Sequence, residues 1–133
     1  MSKRKKSRVR GGFLMLPHEV LKHPRYAGLS YAAVKLLVDI GSQYNGQNNG
    51  DLAACMSMMR PKGWTSSATL HRAKQELVQA GFIIQSRQGG MNTGPNLYAL
   101  SWKPVDECLG KGGKPKHDLP VSKAAPKSWR DAA

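Results

Sequence analysis

Cysteine is scarce in this chain of 133 residues, and its two cysteines, Cys55 and Cys108, lie far apart in the sequence. Two distant thiols exclude a disulfide scaffold and a four-cysteine zinc site, and reduced thiols in the cytoplasm are the simple expectation. The four histidines are scattered, without HExxH or a comparable ligand spacing. We therefore expect neither a metal nor a cofactor.

Acidic residues are also few: 8 Asp and Glu stand against 21 Lys and Arg, which gives a net charge of +13 and a pI near 10.2. Because the acids are isolated along the sequence, neither paired carboxylates for acid–base chemistry nor a two-metal site is indicated, and we expect no catalysis. A positive excess of this size is expected of a protein that meets a polyanion, which makes nucleic acid the default partner.

Long apolar runs are missing as well. No apolar stretch of about 7–15 residues follows the N-terminal charges, as a secretory signal requires, and none of about 18 residues is present to cross a membrane. The loop YNGQNNG, Tyr44 to Gly50, lacks the GxxxxGKS or GxxxxGKT pattern, so a tight turn is favoured over a phosphate cradle. The sequence predicts a cytoplasmic, nucleoid-associated protein without a membrane segment.

Charge divides the chain into three segments. Residues 1–12 hold six basic and no acidic residues, residues 13–102 hold eight basic and four acidic residues, and residues 103–133 hold seven and four. We interpret residues 1–12 as a disordered basic arm, 13–102 as the folded domain, and 103–133 as an extended Pro/Lys-rich tail without stable structure. In the arm, the side chains able to lie along phosphates or enter a minor groove are Lys3, Arg4, Lys5, Lys6, Arg8 and Arg10. A purely electrostatic tail is the alternative interpretation of this arm.

Helical patterns fill the first half of the domain. Pro17 to Lys22 predicts a short first helix, and Ser30 to Tyr44 predicts a mostly apolar helix at the buried centre of the domain. Asp51 is placed to cap a third short helix that runs to Met59. The residues expected to pack on one face of this third helix are Leu52, Cys55, Met56 and Met59.

The segment from Gly63 to Ile84 carries the strongest pattern in the chain. Its apolar residues recur at helical spacing on one face, Thr65 or Ser66 is placed to cap the helix start, and Gly81 is placed to end it. The apolar face comprises Ala68, Leu70, Ala73, Leu77, Val78 and Ala80. Phe82 to Arg87 then predicts a strand, and Leu97 to Trp102 predicts its partner, so that a hairpin follows the helix.

A polar face at the start of such a helix suits the major groove of duplex DNA, because short hydroxyls approach phosphates closely and arginine can read guanine. The residues expected to face the groove are Ser66, Ser67, Thr69, His71 and Arg72, with Lys62 and Lys74 on phosphates. Arg87 and Asn92 of the hairpin are candidates for a further phosphate contact. The alternatives are an ordinary solvated helix face and a hairpin that only caps the core.

Gly63 to Ile84 resembles the recognition helix and first wing strand of bacterial winged-helix regulators. Their usual pattern of Ser or Thr, an apolar residue, Arg-Ala, Leu and Gly is matched by Thr69, Leu70, Arg72-Ala73, Leu77 and Gly81. Lys74 departs from this pattern, which usually has an apolar residue there. More narrowly, the chain resembles small helix-turn-helix proteins of proteobacteria, prophages and mobile elements, some labelled replication-protein-like. Three segments carry this resemblance: YNGQNNGDL, RPKGWTSSATLHRAKQELVQAGFI and LYALSWKPVDEC.

This resemblance covers roughly residues 13–109. It implies an α+β, mostly helical fold: a winged helix-turn-helix with a C-terminal β-hairpin wing and disordered basic termini. It also implies DNA binding. Trp129, near the end of the tail, has no core to enter unless the tail folds back or meets a partner. Docking on its own domain, anchoring a partner or a base, and having no role are the three alternatives for this residue.

The expected function is non-catalytic binding of duplex DNA, in transcriptional regulation or control of DNA replication for a bacteriophage or mobile element. The alternative is an interaction protein that uses a winged-helix fold to occupy a host protein or ribonucleoprotein. RNA binding is a third hypothesis, although RNA-recognition aromatic motifs are missing. A homodimer that reads two half-sites is compatible with the sequence, which nevertheless shows no heptad or dedicated dimer helix.

Overall fold

A computed structural model describes residues 11–91 and 94–130 of the chain. In this part there are five α-helices: α1 (His18–Leu21), α2 (Pro24–Ala27), α3 (Tyr31–Gly41), α4 (Met56–Met59) and α5 (Ser67–Ala80). The three strands are β1 (Leu52–Ala53), β2 (Ile83–Arg87) and β3 (Leu97–Leu100). They form an antiparallel sheet in the order β1-β3-β2. This α+β fold is compatible with a winged helix, and none of its helices is long and apolar enough to cross a membrane.

The short first helix predicted from Pro17 to Lys22 is confirmed as α1, with Pro17 at the N-cap and Val20 fully buried. Helix α3 confirms the buried central helix, since Ala33, Leu36, Leu37, Ile40 and Gly41 are all buried. Its N-cap is Ser30, whose hydroxyl accepts a hydrogen bond from the backbone N–H of Ala33 at 3.1 Å. The helix ends at Gly41 rather than at Tyr44.

After α3, the side chain of Gln43 forms hydrogen bonds with the backbone of β1. Its side-chain amide donates to the carbonyl of Ala53 at 2.6 Å and accepts from the N–H of Ala53 at 2.9 Å. This pair of hydrogen bonds satisfies both backbone groups of Ala53. Gln43 therefore ties the end of α3 to β1.

The helix predicted from Asp51 to Met59 is wrong in its first half. Leu52 and Ala53 pair with Tyr98 and Leu97 of β3, so their backbone joins the sheet. The helix is only α4, capped by Cys55 without a side-chain hydrogen bond, while the Asp51 carboxylate lies 3.1 Å from the ammonium of Lys116. Leu52 and Met59 are buried as expected, whereas Cys55 and Met56 are partly exposed.

Helix α5 confirms both predicted ends. The Ser66 hydroxyl accepts from the N–H of Thr69 at 3.1 Å, and Gly81 adopts φ 84°, the left-handed conformation that favours glycine at a helix end. Leu70, Ala73 and Leu77 are buried at spacings of three and four. The predicted apolar face is too wide, however, because Ala68 is exposed and Val78 keeps 39% of its surface.

A single carboxylate joins α5 to α3. The Glu76 side chain accepts hydrogen bonds from the Ser30 N–H at 2.6 Å and from the Ser30 hydroxyl at 2.7 Å. Ser30 is the residue before α3, so Glu76 satisfies a backbone group at the start of that helix. The polar residue Glu76 thus fixes how α5 lies against α3.

The prediction of an unstructured tail is wrong for residues 103–130, here called the C-terminal segment. All four residues of β3 are buried, but only Tyr98 and Leu100 belong to the main hydrophobic core. The segment adds the buried side chains Val105, Cys108 and His117, which lie outside that core. Asn49, fully buried, donates to the carbonyls of Leu100 and Pro104 at 2.9 Å each.

The end of the C-terminal segment enters the main core through Trp129. This side chain is 0% exposed and stacks on Phe82 with ring centroids 5.9 Å apart. Its backbone runs so close to Gly81 that a Cβ there would lie 2.6 Å from the carbonyl of Ser128. Glu19 forms ion pairs with Arg130 and Lys127. Of the three alternatives for Trp129, docking on its own domain is the one observed, and the side chain is not accessible as a partner anchor.

Candidate nucleic-acid interface

Helix α5 turns one side to the core and leaves the other open. Opposite the buried stripe runs an exposed stripe of polar and basic side chains, beside the exposed apolar residues Ala68 and Val78. The members of this exposed stripe are Ser67, His71, Arg72, Gln75 and Gln79. The only acidic residue of the helix, Glu76, is held by Ser30, so the exposed stripe presents no carboxylate. Such a surface is suited to a polyanion.

The five residues predicted to face a groove do not form one surface. Ser66 and Thr69 line a shallow depression of about 180 Å³ beside α3, together with Lys35 and Trp64. The Ser66 hydroxyl is used as the helix cap, and Thr69 is half-buried. Ser67, His71 and Arg72 belong to the exposed stripe. Arg72 contacts the Thr69 hydroxyl at 3.5 Å, so these two residues connect the two surfaces.

A groove of about 280 Å³ lies between α5 and the β2–β3 hairpin. Side chains from both elements line it, and most of them carry an amide, an imidazole or an amine: His71, Lys74, Gln75, Gln79, Gln85 and Asn96. Glutamine and asparagine amides can both donate to and accept from the edge of adenine. The groove is therefore equipped for hydrogen bonding with bases along one side of α5.

Four of these groove residues were missed by sequence reasoning. Gln75 and Gln79 continue the exposed stripe from His71, and their spacing of four residues was a readable signal. Gln85 and Asn96 reach the groove only because of the register of the hairpin, which local sequence does not reveal. The Asn96 carbonyl oxygen accepts from the N–H of Gly89 at 2.6 Å and so shapes the hairpin itself.

Lys74 is half-buried between α5 and the hairpin. Winged-helix regulators usually have an apolar residue at this place in the pattern. Burial lowers the pKa of its ammonium, and the nearby Cys55 thiol partly opposes that shift. Both residues line a second cavity of about 220 Å³ at the base of the hairpin. The stem of Lys74 can pack there while its charged end reaches the surface.

Cys55 faces the same cavity as Lys74. Burial raises the pKa of its thiol, but a hydrogen bond with Ser57, backbone hydrogen bonds and the charge of Lys74 together outweigh burial, so that the pKa is lowered. The Cys108 thiol differs, since burial and nearby carboxylates raise its pKa. Both thiols are free.

The turn between α4 and α5 is held in place by a buried aromatic residue. The Trp64 indole donates to the Asp39 carboxylate at 2.8 Å, and the Lys35 ammonium donates to the same carboxylate at 3.0 Å. Lys35 also donates to the carbonyl of Lys62 at 2.9 Å. The Lys62 side chain remains exposed, so this predicted phosphate ligand stands on a turn fixed to α3. Sequence reasoning missed the roles of Trp64 and Asp39.

Two residues of the hairpin, Arg87 and Asn92, were predicted to contact phosphate. The Arg87 guanidinium donates to the carbonyl of Pro95 at 3.1 Å and to that of Lys116 at 3.3 Å, so it connects the hairpin to the C-terminal segment. Asn92 lies outside the described residues. The same holds for the basic residues of the arm, Lys3, Arg4, Lys5, Lys6, Arg8 and Arg10.

No protein-family model, curated protein or solved structure matches this chain. Within residues 11–91 and 94–130, no three His, Cys, Asp or Glu side chains come together in a group that could hold a metal ion. The candidate site is therefore defined by its geometry: the exposed stripe of α5, the groove beside it and the basic side chains around them.

Proposed function

We propose that this chain is a winged-helix protein that binds duplex DNA through α5 and catalyses no reaction. The observation that carries the proposal is the exposed stripe of α5, which is polar, contains Arg72 and presents no carboxylate. A helix with such a face fits the major groove, which is about 12 Å wide and admits one α-helix.

The order of elements supports the winged-helix assignment. Along the chain, β1 lies between α3 and α4 and pairs with β3. Helix α5 follows α4 and leads directly into the β2–β3 hairpin. Helices α4 and α5 are joined by a short turn containing Arg60–Lys62 and Gly63, as in a helix-turn-helix. In the proposed assignment the hairpin is the wing.

The roles of individual residues follow from their positions. Arg72 and Gln75 are exposed on consecutive turns of α5 and, in this proposal, would read guanine and adenine edges. Lys62 at the turn and Lys74 beside the hairpin flank that surface and would contact phosphates. The basic arm would add sequence-independent attraction. By its resemblance to helix-turn-helix proteins of prophages and mobile elements, the output would be control of transcription or replication.

Titration of a fluorescent duplex of mixed sequence tests DNA binding itself. We expect binding that is measurable at low salt and weakens linearly on a plot of log K against log salt concentration, because phosphate contacts release counterions. Lys123, exposed in the C-terminal segment far along the chain from α5, offers a matched control: Lys123→Ala should keep the affinity that Lys62→Ala reduces. Failure of the wild-type protein to bind duplex DNA at low salt would refute the proposal.

A further inference from the structure

The C-terminal segment contains a basic hairpin-like loop, residues 109–116, with the sequence LGKGGKPK, here called the Lys-rich loop. Leu109 and Pro115 form an antiparallel bridge across it. The N–H of Gly110 donates to the carbonyl of Lys114 at 2.7 Å, and the N–H of Lys116 donates to that of Cys108 at 2.7 Å. Gly112 and Gly113 form the tip with φ 70° and 75°, a conformation that a bulkier residue rarely adopts.

The base of the Lys-rich loop is fixed to the sheet. His117 is buried, its Nε2 lies 2.8 Å from the carbonyl of Asp106, and its ring fills the space that a side chain at Gly50 would need. The N–H of Asp118 donates to the carbonyl of Ser86 in β2 at 2.8 Å. The base of the Lys-rich loop is therefore in contact with β2 and with the backbone at Gly50.

The Lys-rich loop is a neighbour of the β2–β3 hairpin. Arg87 is the last residue of β2, and its guanidinium reaches the carbonyl of Pro95 in the hairpin with one nitrogen and that of Lys116 with the other. One side chain therefore connects the two loops directly. A duplex that lies against the hairpin on the side of Arg87 would therefore lie next to the Lys-rich loop as well.

In the Lys-rich loop, lysines without an ion pair among the described residues lie beside the tip, and acidic residues lie at the base. Lys111 and Lys114 are exposed beside the glycine tip, and in the described part of the chain neither forms an ion pair. Lys116, at the base, is paired with Asp51 at 3.1 Å. The acidic neighbours Asp106, Glu107 and Asp118 also belong to the base. The tip therefore presents two positive charges outward.

We propose that the Lys-rich loop is a second DNA-contacting loop, in which Lys111 and Lys114 bind phosphates of the duplex alongside the β2–β3 hairpin. This inference rests on the proposed function. It supplies positively charged side chains beside the hairpin, where Arg87 is engaged with backbone carbonyls and residues 88–96 contain no Lys or Arg. Lysine binds phosphate as a point charge, without reading sequence, so the loop strengthens binding to every duplex alike.

The test compares two double variants with the same net charge. Lys111→Gln/Lys114→Gln removes the loop charges, whereas Lys22→Gln/Lys123→Gln removes two exposed charges from other parts of the surface. The affinity of each protein for one duplex is measured across a salt series. Each lost phosphate contact lowers the slope of log K against log salt by about 0.9, so the loop variant should lose about 1.8 and bind at least about tenfold more weakly near 0.1 M salt. The control should keep the wild-type slope, because neither Lys22 nor Lys123 belongs to α5, the β2–β3 hairpin or the Lys-rich loop.

Four outcomes are distinguishable. A lower slope for the loop variant alone supports the inference. Equal losses of slope in both variants would show that only total charge matters. Unchanged slopes in both variants would show that the loop does not touch DNA. Either result overturns the inference, but the proposed function still stands if the wild type binds DNA. Absence of wild-type binding to any duplex overturns both. Thermal unfolding of the variants checks that these exposed substitutions leave the fold intact.

Discussion

Replacing Trp129 with alanine removes the largest fully buried side chain of the described residues. A buried tryptophan covers roughly 150–250 Å², and at about 25 cal/mol per Å² its burial contributes roughly 4–6 kcal/mol. Part of this gain is offset because the indole N–H has no hydrogen-bond partner in its buried position, at a cost of about 1–3 kcal/mol. We therefore expect Trp129→Ala to lower the free energy of unfolding by about 3 kcal/mol.

Trp129→Phe separates the two contributions. A phenylalanine keeps an aromatic ring against Phe82 and removes the unpaired donor, so the free energy of unfolding should stay within about 1 kcal/mol of the wild-type value. Val121→Ala is the control from the same segment, because Val121 is 60% exposed and should tolerate truncation. Urea unfolding followed by far-UV circular dichroism measures all three. A loss below about 0.5 kcal/mol for Trp129→Ala, or an equal loss for Trp129→Phe, would refute the packing argument.

Three further predictions concern the framework around α5. Gly81→Ala should lower the free energy of unfolding by more than about 1 kcal/mol, since it forces a side chain into φ 84° and against the backbone of Ser128; urea unfolding with wild-type stability would contradict this. Asp39→Ala should cost about 2 kcal/mol because it leaves the indole N–H of Trp64 unpaired, and an unchanged unfolding midpoint would count against that hydrogen bond. Iodoacetamide should modify Cys55 before Cys108, because a lowered pKa gives more thiolate at neutral pH; mass spectrometry showing the reverse order would contradict the assigned environments.

Local signals explain why α5 could be predicted from sequence. Its capping serine, its buried stripe and its terminal glycine all lie within one segment, and each favours the same structure. The two-residue strand β1 could not be predicted in this way. Its backbone is satisfied by β3, far along the chain, and by the side chain of Gln43, so tertiary contacts override the helical pattern of Leu52 to Met59.

The C-terminal segment was misinterpreted for a related reason. Its proline and lysine content is typical of disorder, and its buried residues, Val105, Cys108 and Trp129, are too widely spaced to form a periodic pattern. Val105 and Cys108 lie outside the main hydrophobic core, whereas Trp129 enters it and stacks on Phe82. The overall composition of such a segment reflects its many exposed residues. Whether the segment packs on the domain depends on a few side chains that become buried.

The candidate site was predictable in location and less so in composition. The polar residues at the start of α5 drew attention to this helix, which carries the exposed stripe, but the hydroxyl of Ser66 is a helix cap and Thr69 lies beside α3. Gln75 and Gln79 follow from the helical spacing of the exposed stripe. Gln85 lines the groove only because of the register of the hairpin, so its position could not be predicted from the local sequence.

Selection of binding sites from random duplex DNA at roughly physiological salt tests the central claim most directly, with Arg72→Ala run beside the wild type. If α5 reads bases, the wild type should enrich a motif, and Arg72→Ala should lose one guanine position at a cost of about 1–3 kcal/mol while still binding random DNA. Equal losses of affinity for selected and random DNA, or no enriched motif at all, would contradict sequence reading by α5.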